Sequence, residues 1–168
     1  MTANKKAHLP TLPEDLESPI RVAPLDESPG FIIHCLDTRM NAGLGREFQN
    51  AGYDVTPEQW GVLSRLWQEE GIHQSELALR TAKDRHNMTR ILNLMEKNGF
   101  ITRKPDKEDK RRLNIYLTPK GSSMRSGLTK VVLDYLEGCL QGLSPADIRV
   151  MKRIHKKILD NISAMSDE

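Results

Sequence analysis

The sequence predicts an α+β chain that is mainly α-helical, with one small β-hairpin. Three observations predict it. Apolar residues recur at three- and four-residue steps over most of the 168 residues. That spacing gives way to alternation only between Phe100 and Leu117. Helix-start signals stand at Thr56-Pro57, Asp84, Thr118-Pro119 and Ser144-Pro145. A chain of this length makes about one domain, with enough core to need neither disulfide nor structural metal.

The elements follow in order. Residues 1–30 hold five prolines and little apolar periodicity, which reads as an extended arm. Ile33, Leu36, Met40, Leu44 and Phe48 predict a helix from about Phe31 to Asn50, ended by Gly52. Thr56 caps the next helix, with Pro57 at its first position and Gln59 completing a capping box. Its stripe is Trp60, Leu63, Leu66 and Trp67, up to Gly71. A short helix covers about Gln74 to Thr81, with Leu77 inward and Ser75 and Glu76 in the first turn. Asp84 caps a further helix to about Asn98, whose buried face is Met88, Ile91, Leu92 and Met95. Gly99 ends it.

Phe100 to Arg103 reads as a strand, followed by a polar loop. Leu113, Ile115 and Leu117 alternate with Asn114 and Tyr116 in a half-buried returning strand. Thr118-Pro119 starts one long helix with Met124, Leu128, Val131, Val132, Tyr135 and Cys139 on a single face. Ser144 to Asp147 caps a last helix bearing Ile148, Met151, Ile154, Ile158 and Ile162.

The net charge of +2 hides a local excess. Residues 83–121 carry 11 basic and 5 acidic side chains, a balance of +6, so the rest of the chain is net negative. A local basic field points to a polyanion, nucleic acid before anionic membrane. No run approaches about 18 apolar residues, which excludes a membrane span. The N-terminus lacks the apolar stretch of a secretory signal. Cys35 and Cys139 make no disulfide framework, and a reduced, cytoplasmic setting is expected.

Helix, short helix, turn, helix and hairpin make a winged helix-turn-helix. A helix enters the DNA major groove with its N-terminal residues at base edges. Opposite the apolar face of the Asp84-capped helix stand Arg85, His86, Asn87, Thr89 and Arg90. Arg grips guanine, Asn adenine, and the Thr methyl touches the thymine methyl. The loop adds Arg103, Lys104, Lys107, Lys110, Arg111 and Arg112, which can straddle phosphates. Asp109 is expected to hold Arg111. With Ser75 of the short helix, Arg85, His86, Asn87, Thr89, Arg90, Arg103, Lys107, Asp109, Lys110, Arg111 and Arg112 form the candidate DNA-binding set.

Gln74-Ser75-Glu76-Leu77-Ala78, Asn87-Met88-Thr89-Arg90-Ile91 and Met95 through Ile101 resemble the multiple-antibiotic-resistance regulator (MarR) family. So do Asp109-Lys110-Arg111-Arg112 and Leu117-Thr118-Pro119-Lys120-Gly121. The likeness runs over about residues 31–163. It implies a homodimer with interleaved N- and C-terminal helices and two winged lobes on a pseudopalindromic double-stranded DNA operator. It also implies that Asp109 and Arg111 shape the wing and contact DNA. The arm of 30 residues is longer than the family's minimal start. The expected organisation is a proline-rich arm at 1–30, a helical dimerisation region at 31–55 and 119–163, and a DNA-binding lobe at 56–121.

Two-fold pairing of the outer apolar stripes would set two recognition helices on one DNA face; an intramolecular three-helix bundle is the alternative. The resemblance further implies a repressor released by a small phenolic or aromatic acid effector, with His34, Arg39, Arg46 and Trp60 as candidate contacts. No cofactor is expected. No histidine or cysteine spacing suggests a metal site, and both cysteines are expected to be buried structural residues. No catalytic motif is present, so the chain is not expected to be an enzyme. Two other readings stay open: a redox- or metal-responsive repressor of the same fold, and a winged-helix protein-interaction module that ignores DNA.

Overall fold

The capping box read at Thr56 is formed in the computed structural model, which describes residues 25–166 except 107 and 111. Thr56 Oγ1 accepts from Gln59 N at 3.2 Å, and Gln59 Oε1 accepts from Thr56 N at 3.0 Å. The described helices are α1 (Pro29–Asn50), α2 (Pro57–Leu66), α3 (Gln74–Arg80), α4 (Arg85–Lys97), α5 (Pro119–Ser123), α6 (Arg125–Cys139) and α7 (Pro145–Ser166). The strands are β1 (Ile72–His73), β2 (Ile101–Pro105) and β3 (Leu113–Leu117). All pairing is antiparallel, in the order β1-β3-β2, with Arg103 opposite Ile115 and Ile72 opposite Ile115 on the other side. The mainly helical fold with a small sheet is as the sequence predicts.

Contacts divide the chain into residues 1–39 and residues 40–168. In the first unit a 3-10 turn at Leu25–Glu27 precedes α1. Residues 25–30 are therefore not the extended chain expected of the arm; Pro29 begins the helix, where its fixed φ is compatible and its missing N–H costs nothing. The rest of the arm lies outside the described residues.

In the second unit, one core gathers side chains from every layer. Phe48 from α1, Val62, Leu63 and Leu66 from α2, and Leu77 from α3 meet Met88, Ile91, Leu92 and Met95 of α4. Ile101 and Ile115 close it from the sheet, and Leu128 and Val132 of α6 from the C-terminal side. The α4 and sheet faces lie on the spacing read from the sequence. In α2 the fully buried Val62 was not in the predicted stripe, while Trp60 and Trp67 of that stripe are half-buried, and Ile33 and Leu36 of α1 are exposed. Ser144 and Asp147 cap α7 reciprocally, Ser144 N donating to Asp147 Oδ2 at 2.9 Å and Asp147 N to Ser144 Oγ at 3.2 Å.

Three expectations are corrected. The helix from Thr118 is two helices, α5 and α6, broken at Met124. The first is held at the start of β2 and to the end of α2: Thr118 Oγ1 donates to Gly99 O at 2.6 Å, and Trp67 Nε1 donates to Gly121 O at 3.1 Å. The second follows the core instead, so the axis is reset between them. Strand β1 escaped the sequence reading because two residues carry no readable period; Gly71 N donates to Ile115 O at 2.9 Å and starts the pairing. Cys139 is exposed and Cys35 only half-buried, so neither is the buried structural residue expected.

Gly121 packs so closely on Phe100 that an added Cβ would strike the Phe100 carbonyl oxygen. Backbone there cannot yield without moving the strand. Gly121→Ala should lower stability by about 1–3 kcal/mol in denaturant unfolding. Gly138→Ala, in α6 with open space at its Cβ position, should instead be neutral or raise stability by up to about 1 kcal/mol.

Candidate nucleic-acid interface

The candidate recognition helix is α4, and its buried face fixes which side chains point outward. With Met88, Leu92 and Met95 fully buried, Arg85, His86 and Arg90 are left exposed. Asp84 caps the helix: Oδ1 accepts from Asn87 N at 2.9 Å and Oδ2 from Asn87 Nδ2 at 2.5 Å. These bonds, the backbone one foremost, hold the Asp84 carboxyl below its ordinary range. Asn87 is thus set in place by the cap.

Thr89 is similarly engaged. Its hydroxyl donates to Arg85 O at 2.8 Å and accepts from Gln74 Nε2 at 2.7 Å. The hydroxyl ties α3 to α4, and only the methyl is left to face a base. Gln74 had no role in the sequence reading, because the bond spans two helices whose crossing the sequence does not state. His73 caps α3: its Nδ1 accepts from Ser75 N at 3.3 Å and lies 2.7 Å from Ser75 Oγ. His73, Gln74, Ser75, Arg85 and Leu113 line one open groove, which brings the predicted Ser75 beside the predicted Arg85.

The wing is organised by Asp106, to which the sequence reading gave no role. Its Oδ1 accepts from Glu108 N at 2.9 Å and Asp109 N at 3.0 Å, and its Oδ2 from Asn114 Nδ2 at 2.8 Å. Asp106 N donates to Arg112 O at 2.9 Å, closing the loop across the strands. The signal was present in the sequence, since Asp at the head of a polar turn bonds its own backbone two residues on. The expected Asp109–Arg111 pair falls on Arg111, outside the described residues; Asp109 also pairs with Arg112, Nε to Oδ2 at 3.5 Å. The turn that places Asp109 and Arg112 in register is closed by Arg112 N donating to Asp109 O at 2.8 Å. Arg111 and Lys107 lie outside the described residues. Lys110 and Arg112 are exposed, and Lys104 lies over the Tyr116 ring at 4.9 Å.

Arg103 departs from the expected set. Its guanidinium reaches Glu96 Oε2 at 2.5 Å and Asn93 Oδ1 at 2.8 Å, with its side chain only 15% exposed. In β2 it points back onto α4 rather than out with the wing, and it braces strand to helix.

The four candidate effector contacts fare differently. His34 and Arg39 are exposed within the first unit, and Arg46 is exposed in the second. Trp60 is half-buried, and its indole Nε1 is buried without a hydrogen-bond partner among the described residues. A buried donor left unpaired is costly, which marks Trp60 as a place for an acceptor. Among the described residues, no group of three or more His, Cys, Asp or Glu is placed to hold a metal ion, and no helix is long and apolar enough to cross a membrane.

The Asp106 network should show in the wing amides. Bonds from Asp109 N, Glu108 N and Asn114 hold the carboxyl below its ordinary range. A depressed native value means that its contribution is fully present above the unfolded carboxylate range and lost as pH falls through the native value. Hydrogen exchange at Glu108 and Asp109 should accelerate in Asp106→Ala at neutral pH. In the wild type, protection relative to that variant should vanish under strong acid.

The model of the MarR family matches residues 55–113, which run from the start of α2 to the start of β3. The HTH-type transcriptional regulator TtmR of Methylorubrum extorquens is 30% identical over 74% of this chain; the match spans 60% of that protein, less than two thirds of its length. The HTH-type transcriptional regulator PrsX of Escherichia coli is 30% identical over 71% of this chain and 73% of its own. The fold is also that of a crystallised MarR mutant from Escherichia coli complexed with operator DNA, with a TM-score of 0.72 at 24% identity, over 77% of this chain and 92% of that one. These relatives are regulators rather than enzymes, and the chain belongs to the MarR family.

Proposed function

We propose that this protein is a sequence-specific, duplex-DNA-binding transcriptional regulator, acting in the cytoplasm as a homodimeric repressor. One observation carries the reading: α4 buries its apolar face completely and leaves Arg85, His86 and Arg90 outward. The wing adds the exposed Lys104, Lys110 and Arg112. The related regulators and the operator complex of a protein with this fold support it. In this reading α4 lies in the major groove with Arg85, Asn87, the Thr89 methyl and Arg90 at base edges. Ser75 and His86 meet the backbone. Wing residues Lys107, Lys110, Arg111 and Arg112 supply salt-sensitive phosphate contacts, with Asp109 shaping the loop. Arg103 acts by bracing the wing.

Residues 56–121 form the DNA-binding lobe, and 31–55 with 119–163 the dimerisation region. Support comes from α7, which leaves Val150, Ile154, Ile158, Leu159 and Ile162 exposed in the single chain. A helix that exposes a row of large apolar residues needs a partner. A two-fold copy would set recognition helices about 34 Å apart on a pseudopalindrome. The unpaired indole N–H of Trp60 supports release by a small phenol or aromatic acid whose oxygen it would meet. Arg46, exposed on the same unit as Trp60, is proposed for the anionic end; His34 and Arg39 lie in the first unit and are proposed separately as effector contacts.

Duplexes selected from a randomised library, followed by fluorescence anisotropy against salt, test the DNA reading. Arg90→Ala should cost about 1–3 kcal/mol on the selected duplex and less on mixed sequence. Arg111→Ala should weaken both and flatten the salt slope by about 1. Binding with neither salt dependence nor sequence preference would leave the protein-interaction alternative. Sedimentation should give a dimer for the wild type and a monomer for Ile154→Asp/Ile158→Asp. An unchanged mass would refute the assignment of α7. Salicylate, as probe, should quench Trp60 fluorescence and release DNA, and lose both effects in Trp60→Phe. Oxidant-induced release abolished by Cys35→Ser or Cys139→Ser would favour the redox alternative.

A further inference from the structure

In the free protein, one carboxylate already occupies two of the cations at the recognition helix. Glu58, in the first turn of α2, offers a separate oxygen to each. Its Oε1 lies 2.9 Å from Lys83 Nζ in the turn before α4, and its Oε2 lies 3.5 Å from Arg90 Nη2 on α4 itself. Two oxygens of one anion, each taken by a different cation, is also how a DNA phosphate is held. The site is open to solvent, with 35% of the Lys83 and 56% of the Arg90 side chain exposed, so the pairing can exchange for another anion. Exposed pairs of this kind contribute little to folding stability.

An acid in the first turn of a helix also favours the helix dipole. That role asks only for a negative charge near the N-terminus of α2. It does not account for a side chain reaching across to Lys83 and Arg90 on another part of the fold.

We propose that Glu58 is an intramolecular competitor of the DNA backbone for Lys83 and Arg90, and so a built-in brake on duplex affinity. The inference rests on the DNA-binding reading above. While the carboxylate holds its place, part of each cation's charge is already compensated and one side of it is taken, so a phosphate meets a weaker partner there. Its negative charge also opposes approaching phosphates at short range.

The test is anisotropy with a labelled 30-base-pair mixed-sequence duplex, which requires no knowledge of the operator. Glu58→Gln keeps the shape and removes the charge; it should bind about 3- to 10-fold more tightly at low salt, with the gain shrinking as salt rises. Glu58→Asp keeps the helix-dipole charge but withdraws the oxygens, and should also bind more tightly. In a Lys83→Ala/Arg90→Ala background, Glu58→Gln should bring no gain. Glu137→Gln, an exposed change on α6, controls for net charge. Equal affinity of Glu58→Gln and wild type would overturn the brake while leaving the DNA reading intact. So would a gain that persists in the double-alanine background or is matched by Glu137→Gln. Failure of every variant to bind the duplex at any salt would overturn both.

Discussion

Burial of one face of α4 is the constraint on which the interface depends. Met88, Ile91, Leu92 and Met95 sit at helical spacing and lose nearly all contact with water. Their removal from solvent contributes roughly 1.5–3 kcal/mol each, far more than any exposed polar contact nearby. Rotating α4 by even one residue would bring polar side chains into the core and expose these four. The orientation of Arg85, His86 and Arg90 is therefore a consequence of packing and not of their own interactions.

A second layer of polar contacts refines what packing sets coarsely. Asp84 fixes the start of α4 and the Asn87 amide, Gln74 ties Thr89 to α3, and Arg103 anchors β2 to Glu96 and Asn93. Asp106 does the same for the wing turn through its own backbone neighbours. Each bond is partly exposed and modest in energy, yet together they limit where the cationic groups can be. For the proposed docking onto a duplex such preorganisation helps, because less ordering remains to be done on binding.

Much of this was legible in the sequence, and the reason differs from element to element. The Thr56 capping box and the Asp84 cap were readable because both are local, with donor and acceptor within three residues. The face of α4, and Leu63 and Leu66 of α2, were readable because apolar period reports burial directly. The break at Met124 was not, since α5 answers to the start of β2 and to Trp67 while α6 answers to the core. Strand β1 is too short to carry a period and exists only because β3 offers it a free edge. The roles of Gln74, Glu58 and Arg103 depend on partners 15, 25–32 and 7–10 residues away, and spacing alone says nothing of those.

By itself the sequence determined the helical class, the winged unit, the four-residue apolar face of α4 and the concentration of +6 on residues 83–121. Those follow from composition and period, which are properties of neighbouring residues along one chain. Only the tertiary structure decided which of the charged groups are engaged. It turned Arg103 inward to Glu96, gave Asp106 three bonds within the wing, and set Glu58 against Lys83 and Arg90. Long side chains have many rotamers and weak individual preferences, so their partners are selected by the packing of the elements that carry them.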